Sequence, residues 1–491
     1  MSAQGSFVRL DTGISGLNDI LLGGLPAGQM YLVEGEPGAG KTTLAMQFIR
    51  AGSLQGERGL YITLSEPQAE LEASIRSHGW DPSEVPIAEF TPAEAGLSPE
   101  EQYTVFHPSE IELATTIQRL TSAIDAAKPA RLVIDSLSEL RLLASDAVRY
   151  RRQLLALKQF FSGRETTVLL LDDRTTSAMD DAQLRSIAHG VLQLVKVPRS
   201  FGATRRQLEV LKLRASAYRE GLHDYNIRYG GLVVYPRLVA AEHGSPQYGE
   251  RVASGIAELD AMFGSGVARG SSTLLTGPTG SGKSSLSMQY AYAAAKRGDR
   301  AIVYAFDEGL ETAKRRCESL GMNVSEEIER GTLRMSQVDP AELSPGEFVS
   351  QIRRDVEEND TRVVVVDSLN GFLNSMPGER DLILHLHELV AYLNQKGIIT
   401  FLILTLQGMV GNMHTEVEVS YLADTVVLMR YFELHGEMRV VLSVLKQRVG
   451  IHERTLRELS FTGQGLRVGP ALVGLRGVLT GVPEVLNPAS K

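Results

Sequence analysis

Cysteine is almost missing from this chain: Cys317 is the only one in 491 residues. That excludes an intramolecular disulfide and suits a reducing compartment, and Cys317 is read as a packed side chain rather than a reactive thiol. Tryptophan is as scarce, and Trp80 is read as packing a loop rather than stacking a base. Long apolar runs are missing too. Stretches such as Ile398 to Leu406 fall far short of the ~20 residues that a membrane-spanning helix needs. The opening MSAQGSFVRLD has no apolar signal core, so a cytoplasmic protein with no membrane partner is expected. Positive charge is not in excess either. The net charge of -9 argues against a broad nucleic-acid surface.

What is present, twice, is a glycine-rich loop between a strand and a helix. The apolar run Tyr31-Leu32-Val33-Glu34 breaks into Gly35-Glu36-Pro37-Gly38-Ala39-Gly40-Lys41-Thr42, followed by Thr43. Ser272-Thr273-Leu274-Leu275-Thr276 breaks into Gly277-Pro278-Thr279-Gly280-Ser281-Gly282-Lys283-Ser284, followed by Ser285. Both fit G-x-x-x-x-G-K-[ST], in which backbone N–H groups curl around phosphate oxygens where no Cβ intrudes. Lys41 and Lys283 are expected on the terminal phosphates of ATP, with Thr42 and Ser284 on Mg²⁺. The helix N-terminus adds favourable potential.

The loops belong to a tandem duplication. Gly13-Ile14-Ser15-Gly16-Leu17-Asn18 is answered by Gly255-Ile256-Ala257-Glu258-Leu259-Asp260, Met46-Gln47 by Met288-Gln289, and Glu66 by Glu308, all at an offset of 242 residues. At Asp135 and Asp367 the offset has fallen to 232, and the first half carries its excess in the stretch Trp80 to Ser109, expected to be a surface excursion. Helical patterns such as Leu71 to His78, Ile111 to Ala127 and Val148 to Phe161 alternate with β-rich runs such as Val168 to Leu171 and Val191 to Val197. This predicts two α/β domains, 1–240 and 241–491, each with a mainly parallel central sheet. Gln207 to Leu213 and Arg439 to Leu445 are expected as added antiparallel strands.

Asp135 and Asp367 each end a four-residue apolar strand, where a parallel sheet delivers a side chain to the phosphate crevice. They are read as Mg²⁺ aspartates, with a helix N-cap as the bland alternative. Glu66 and Glu308 follow the next strand and are placed to polarise the attacking water; a solvated loop acid is the alternative. Asp307 adjoins Glu308, whereas Ser65 adjoins Glu66. Lys212 with Arg214, and Lys446 with Arg448, alternate so that each pair shares a face. Either they reach the nucleotide of a neighbouring subunit or they are the wet side of a hairpin.

Together these motifs resemble the KaiC family of tandem RecA-like ATPases, the hexameric core of the cyanobacterial circadian clock. The likeness spans nearly the whole chain and includes Thr12-Gly13-Ile14, Gly23-Gly24-Leu25-Pro26, both loops, both aspartates, the Lys-x-Arg segments, Tyr431 to Met438 and Gly477 to Pro483. The resemblance implies two tandem RecA-like P-loop domains and a homohexamer with ATP at each subunit interface. It gives Lys212, Arg214, Lys446 and Arg448 a role in trans, and it suggests a KaiB-like protein or a signalling kinase as partner. In the second domain it implies autophosphorylation: Ser420 falls where the family's serine acceptor lies, Thr415 matches a nearby threonine, and Tyr421 replaces the threonine acceptor. The family's paired glutamates read Ser65-Glu66 and Asp307-Glu308 here. Two readings from other classes stand beside this one: a DNA-dependent recombinase or helicase motor, and a non-catalytic nucleotide-sensing scaffold.

Overall fold

The computed structural model describes residues 8–90, 108–144, 146–174, 184–198, 202–242, 244–245, 248–374, 382–408 and 419–485. The chain divides into two compact units, Met1–Arg237 and Leu238–Lys491.

Each unit is built on a nine-stranded sheet. In the first the order is Gly231–Tyr235, Leu222–Arg228, Arg205–Leu213, Gly190–Val197, Met30–Gly35, Thr167–Asp173, Arg131–Asp135, Gly59–Thr63 and Ile87–Glu89. The six strands from Gly190–Val197 onward are parallel. The remaining three are added antiparallel. The second sheet repeats the plan: Leu333–Gln337, Arg300–Ala305, Thr361–Asp367, Ile399–Thr405, Ser272–Gly277 and Thr425–Leu434 are parallel, then Glu437–Gln447, Arg457–Thr462 and Gly465–Ala471 antiparallel.

The inner parallel strands are largely apolar because both faces are covered, while the edge strands Ile87–Glu89 and Leu333–Gln337 are partly exposed. Tyr31 and Val33 enter the core beneath the helix Lys41–Leu54, while Met30 and Leu32 enter the opposite core with Leu120, Ile124, Leu154 and Leu157. Leu275 and Leu274 divide in the same way in the second unit, as do Val363 and Val364. The period of two sends neighbours to opposite sides of the sheet. The expected helices are found at Gln68–Ser77, Pro108–Ala127 and Ala147–Phe161. Cys317 is fully buried, and burial pushes its thiol up to about 11. Trp80 is buried beside His78 and Arg50.

One sequence expectation changes. The start of the supposed excursion after Trp80 is an edge strand, Ile87–Glu89, paired in parallel with Gly59–Thr63. Three residues behind Pro86 are too few to show an alternating pattern. Residues 91–107 of that stretch lie outside the described residues, and its end, Pro108 and Ser109, opens the helix Pro108–Ala127.

Candidate functional site

The topology brings the C-terminal ends of the parallel strands to one edge, and the loop after the central strand opens there. Gly40 caps the helix Lys41–Leu54 with φ 99°, and Gly282 caps Lys283–Lys296 with φ 95°. Both sit in the left-handed region that glycine tolerates. A Cβ would come within 2.6 Å of Ile227 at Gly40 and 1.9 Å of Phe461 at Gly282. The backbone conformation calls for glycine at both positions, and at Gly282 the Phe461 ring leaves no room for a Cβ.

In the first unit, Lys41 is buried, and its Nζ donates to the carbonyls of Gly35 and Glu36 at 3.0 and 3.2 Å and to Asp173 Oδ1 at 2.7 Å. Thr42 Oγ1 donates to Asp135 Oδ2 at 3.2 Å, and the Tyr61 hydroxyl donates to the same oxygen. Burial raises the Asp135 carboxyl above the usual range, opposed by the hydroxyls of Tyr61 and Thr42 and the charge of Lys41. Glu66 stands exposed at the mouth. Partial desolvation raises its carboxyl first, followed by the negative charges of Asp135, Glu70 and Asp173, with Lys41 opposing. A carboxyl shifted upward this way is a stronger proton acceptor than an unshifted one.

The second unit holds the same parts around a cavity of about 800 Å³, lined among others by Lys283, Ser284, Asp307, Glu308, Arg316 and Asp367. Lys283 Nζ donates to the carbonyls of Gly277 and Pro278 at 2.9 and 2.7 Å, and burial lowers its ammonium to about 8. Burial raises Asp367; the Ser284 hydroxyl and Arg316 oppose, while Glu308 and Asp307 add to the rise. Asp307 accepts from Ser368 Oγ at 2.5 Å. Glu308 is not solitary: Arg316 Nη2 meets Oε2 at 2.8 Å and Arg316 Nε meets Oε1 at 3.3 Å.

Each site therefore offers a hydroxyl and a carboxylate, Thr42 with Asp135 and Ser284 with Asp367. That is the oxygen donor set Mg²⁺ uses when phosphate and water complete its shell. Among the described residues no group of three or more His, Cys, Asp or Glu is placed to hold a metal unaided.

The cation pairs lie elsewhere. Lys212 pairs in register with Val191, and Gly190 pairs with Tyr31, at the start of the strand whose far end is Gly35. Lys446 pairs with Val426, which pairs with Leu274, again near the start of the loop-bearing strand. At ~3.3 Å per residue this puts each pair roughly 10–13 Å along the sheet from its own unit's phosphate loop. Lys212 donates to the Arg185 carbonyl and Arg214 to that of Ser186 at 2.8 Å. Lys446 donates to the carbonyls of Ser420 and Ala423 at 3.1 and 2.8 Å, and Arg448 to that of Tyr421 at 3.0 Å. Arg448 also has an acid nearby, Asp424, at 3.8 Å. Ser420 thus sits beside the cations, at the sheet end remote from Lys283. Thr415 lies outside the described residues.

Sequence reasoning passed over Asp173 and Arg316. Asp173 follows the apolar run Val168 to Leu171, the same signal that singled out Asp135. Nothing periodic marks Arg316, whose partner Glu308 lies ahead of the helix Leu310–Ser319 that carries it.

A family model described as "ATPase: KaiC" matches residues 10–239 and 252–473. The chain is 29% identical over 482 residues to "Circadian clock protein KaiC3" of Synechocystis sp., covering 97% of this chain and 94% of the relative. It is 29% identical over 491 residues to "Circadian clock oscillator protein KaiC" of Parathermosynechococcus lividus, covering 98% and 89%. A relative of that same description in Acaryochloris marina is 27% identical over 482 residues, covering 97% and 91%. No helix among the described residues is long and apolar enough to cross a membrane.

Proposed function

The chain belongs to the KaiC family of ATPases, and on that premise we propose that it is a homohexameric, cytoplasmic signalling or timing protein whose two units each bind and hydrolyse ATP. The observation that carries this reading is the convergence, in both units, of a buried loop lysine, a hydroxyl and a strand-end aspartate. Lys41 and Lys283 leave their loop carbonyls for the terminal phosphates. Thr42 with Asp135, and Ser284 with Asp367, would hold magnesium, which would neutralise phosphate charge. The backbone of Gly35 to Thr43 and of Gly277 to Ser285 cradles the phosphates. Glu66 and Glu308 orient the water that attacks the γ-phosphorus and take its proton as the bond to ADP breaks, with Asp307 beside Glu308.

The remoteness of Lys212, Arg214, Lys446 and Arg448 from their own loops supports a role toward a neighbouring subunit's nucleotide. By the same placement, Ser420 takes a phosphoryl group from the neighbour's ATP, its proton passing to that neighbour's Glu308 as ADP departs. A KaiB-like protein or a signalling kinase is the partner that family membership suggests.

Magnesium-dependent ATP turnover tests the reading. Lys41→Ala and Lys283→Ala are each expected to cut their own unit's turnover by about 10²-fold or more, and the double variant to abolish it. Wild-type protein that binds ATP but releases no phosphate at any magnesium concentration would leave a nucleotide-sensing scaffold. Phosphopeptide mapping after incubation with ATP is expected to find phosphate on Ser420 that disappears in Lys283→Ala.

A further inference from the structure

The two water-orienting glutamates sit in opposite electrostatic surroundings. Around Glu66 the charges are those of Asp135, Glu70, Asp173 and Lys41. Glu308 instead gives both carboxylate oxygens to one guanidinium, that of Arg316 at 2.8 and 3.3 Å. Arg316 is itself anchored, because its Nη1 donates to Ser285 Oγ at 3.0 Å on the helix that begins at Lys283. Both partners are partly screened from water, at 26% and 30% exposure, so the pair is not a solvent-diluted surface contact. The helices Gln68–Ser77 and Leu310–Ser319 stand in register at the repeat offset of 242, and there Ser74 takes the place of Arg316. Among the described residues the clamp is found in the second unit alone.

We infer that Arg316 is a positioning residue that restrains Glu308 and so slows water attack in the second site. A carboxylate whose two oxygens are both engaged by a guanidinium faces that group, not the water, and must give up the ion pair before it takes a proton. Arg316 lines the same cavity as Lys283 and Asp367. Glu308 lines it too, so a Glu308 released from Arg316 is already at the pocket. The second site then holds ATP longer than its other parts would dictate.

This inference rests on the second unit being an ATPase, and the test separates the two. In a Lys41→Ala background, phosphate release comes from the second site and vanishes on adding Lys283→Ala. If it does not vanish, the site reading fails. Adding Arg316→Ser, the first unit's residue at this position, is expected to raise kcat about three- to tenfold with KM changed less than about twofold. Arg316→Lys, with a compact ammonium in place of a planar fork, is expected to fall between. The gain is expected to disappear when Glu308→Gln is added, because the restrained group is then gone. Affinity for the non-hydrolysable imido analogue of ATP is expected to stay within about twofold. A fall in kcat, or a severalfold loss of analogue affinity, would show Arg316 to be a phosphate ligand and overturn the inference.

Discussion

Lys41 donates to Asp173 at 2.7 Å across the mouth of the first phosphate loop, while the equivalent strand position in the second unit is Thr405. The register makes the comparison direct: Gly35 pairs with Asp173, and Gly277 with Thr405. The loop lysine hydrogen-bonds an anion in the first unit, whereas among the described residues Lys283 hydrogen-bonds backbone carbonyls, with Asp367 nearby.

Removing that anion is expected to tighten nucleotide binding. Asp173 is 40% exposed, so the pair is worth about 0–1 kcal/mol after solvent screening. Asp173→Asn, in a Lys283→Ala background, is expected to raise ATP affinity of the first site up to about fivefold. Titration of a fluorescent ATP analogue checks it. Weaker binding would mean that Asp173 helps to place the nucleotide.

The cation pairs are expected to matter between subunits and little within one. Lys212→Ala with Arg214→Ala, or Lys446→Ala with Arg448→Ala, removes donors whose partners among the described residues are backbone carbonyls and, for Arg448, Asp424 at 3.8 Å. Native mass spectrometry with ATP is expected to show the hexamer depleted, by mass action on a weakened interface. Thermal unfolding without nucleotide should shift by less than ~3 °C, as for surface changes. A hexamer unchanged by both double variants would refute the role in trans.

His223 is expected to make the first unit acid-sensitive. It is 1% exposed; Nδ1 accepts from the Arg237 N–H at 2.8 Å and Nε2 lies 3.2 Å from the Arg219 carbonyl, a neutral tautomer with both nitrogens used. Burial lowers its pKa to about 4, with Arg237 and Arg219 adding to the effect. The unfolded chain, with an ordinary value near 6.5, therefore binds a proton that the folded chain refuses. Stability is full above about pH 6.5 and is lost as pH falls toward 4, by up to about 3 kcal/mol. His223→Gln, which keeps one donor and one acceptor, is expected to flatten the urea-unfolding midpoint between pH 6.5 and 4. An unchanged slope would assign the acid loss to other groups.

Arg131 is expected to be a structural keystone rather than a site residue. It is fully buried at the start of its strand, with Nε on Glu57 at 2.5 Å, Nη1 on the carbonyls of Asp11 and Phe48, and the Phe48 ring 4.9 Å away. Arg131→Ala is expected to destabilise the first unit by about 3–5 kcal/mol, because Glu57 and two carbonyls lose their donor and a cavity opens. Chemical denaturation measures it, and a loss under ~1 kcal/mol would refute the assignment.

Much of this protein is readable along the chain. The duplication, the two phosphate loops, the aspartates 135 and 367 and the parallel character of both sheets rest on local patterns: glycines at fixed spacing, a lysine after them, and apolar runs too uniform for a half-exposed strand. The short edge strand Ile87–Glu89 escaped because three residues carry no period. What the tertiary structure alone decided is which charges meet. Lys41 and Asp173 are 132 residues apart, Thr42 and Asp135 are 93 apart, and the sheet order joins them by placing strand ends side by side. Arg316 reaches Glu308 only because the chain turns between strand and helix. Local patterns mark two like loops; the exchanges of Asp173 for Thr405 and of Ser74 for Arg316 make their surroundings unequal. Only the fold shows that these residues matter, because Coulomb energy depends on separation in space rather than along the chain.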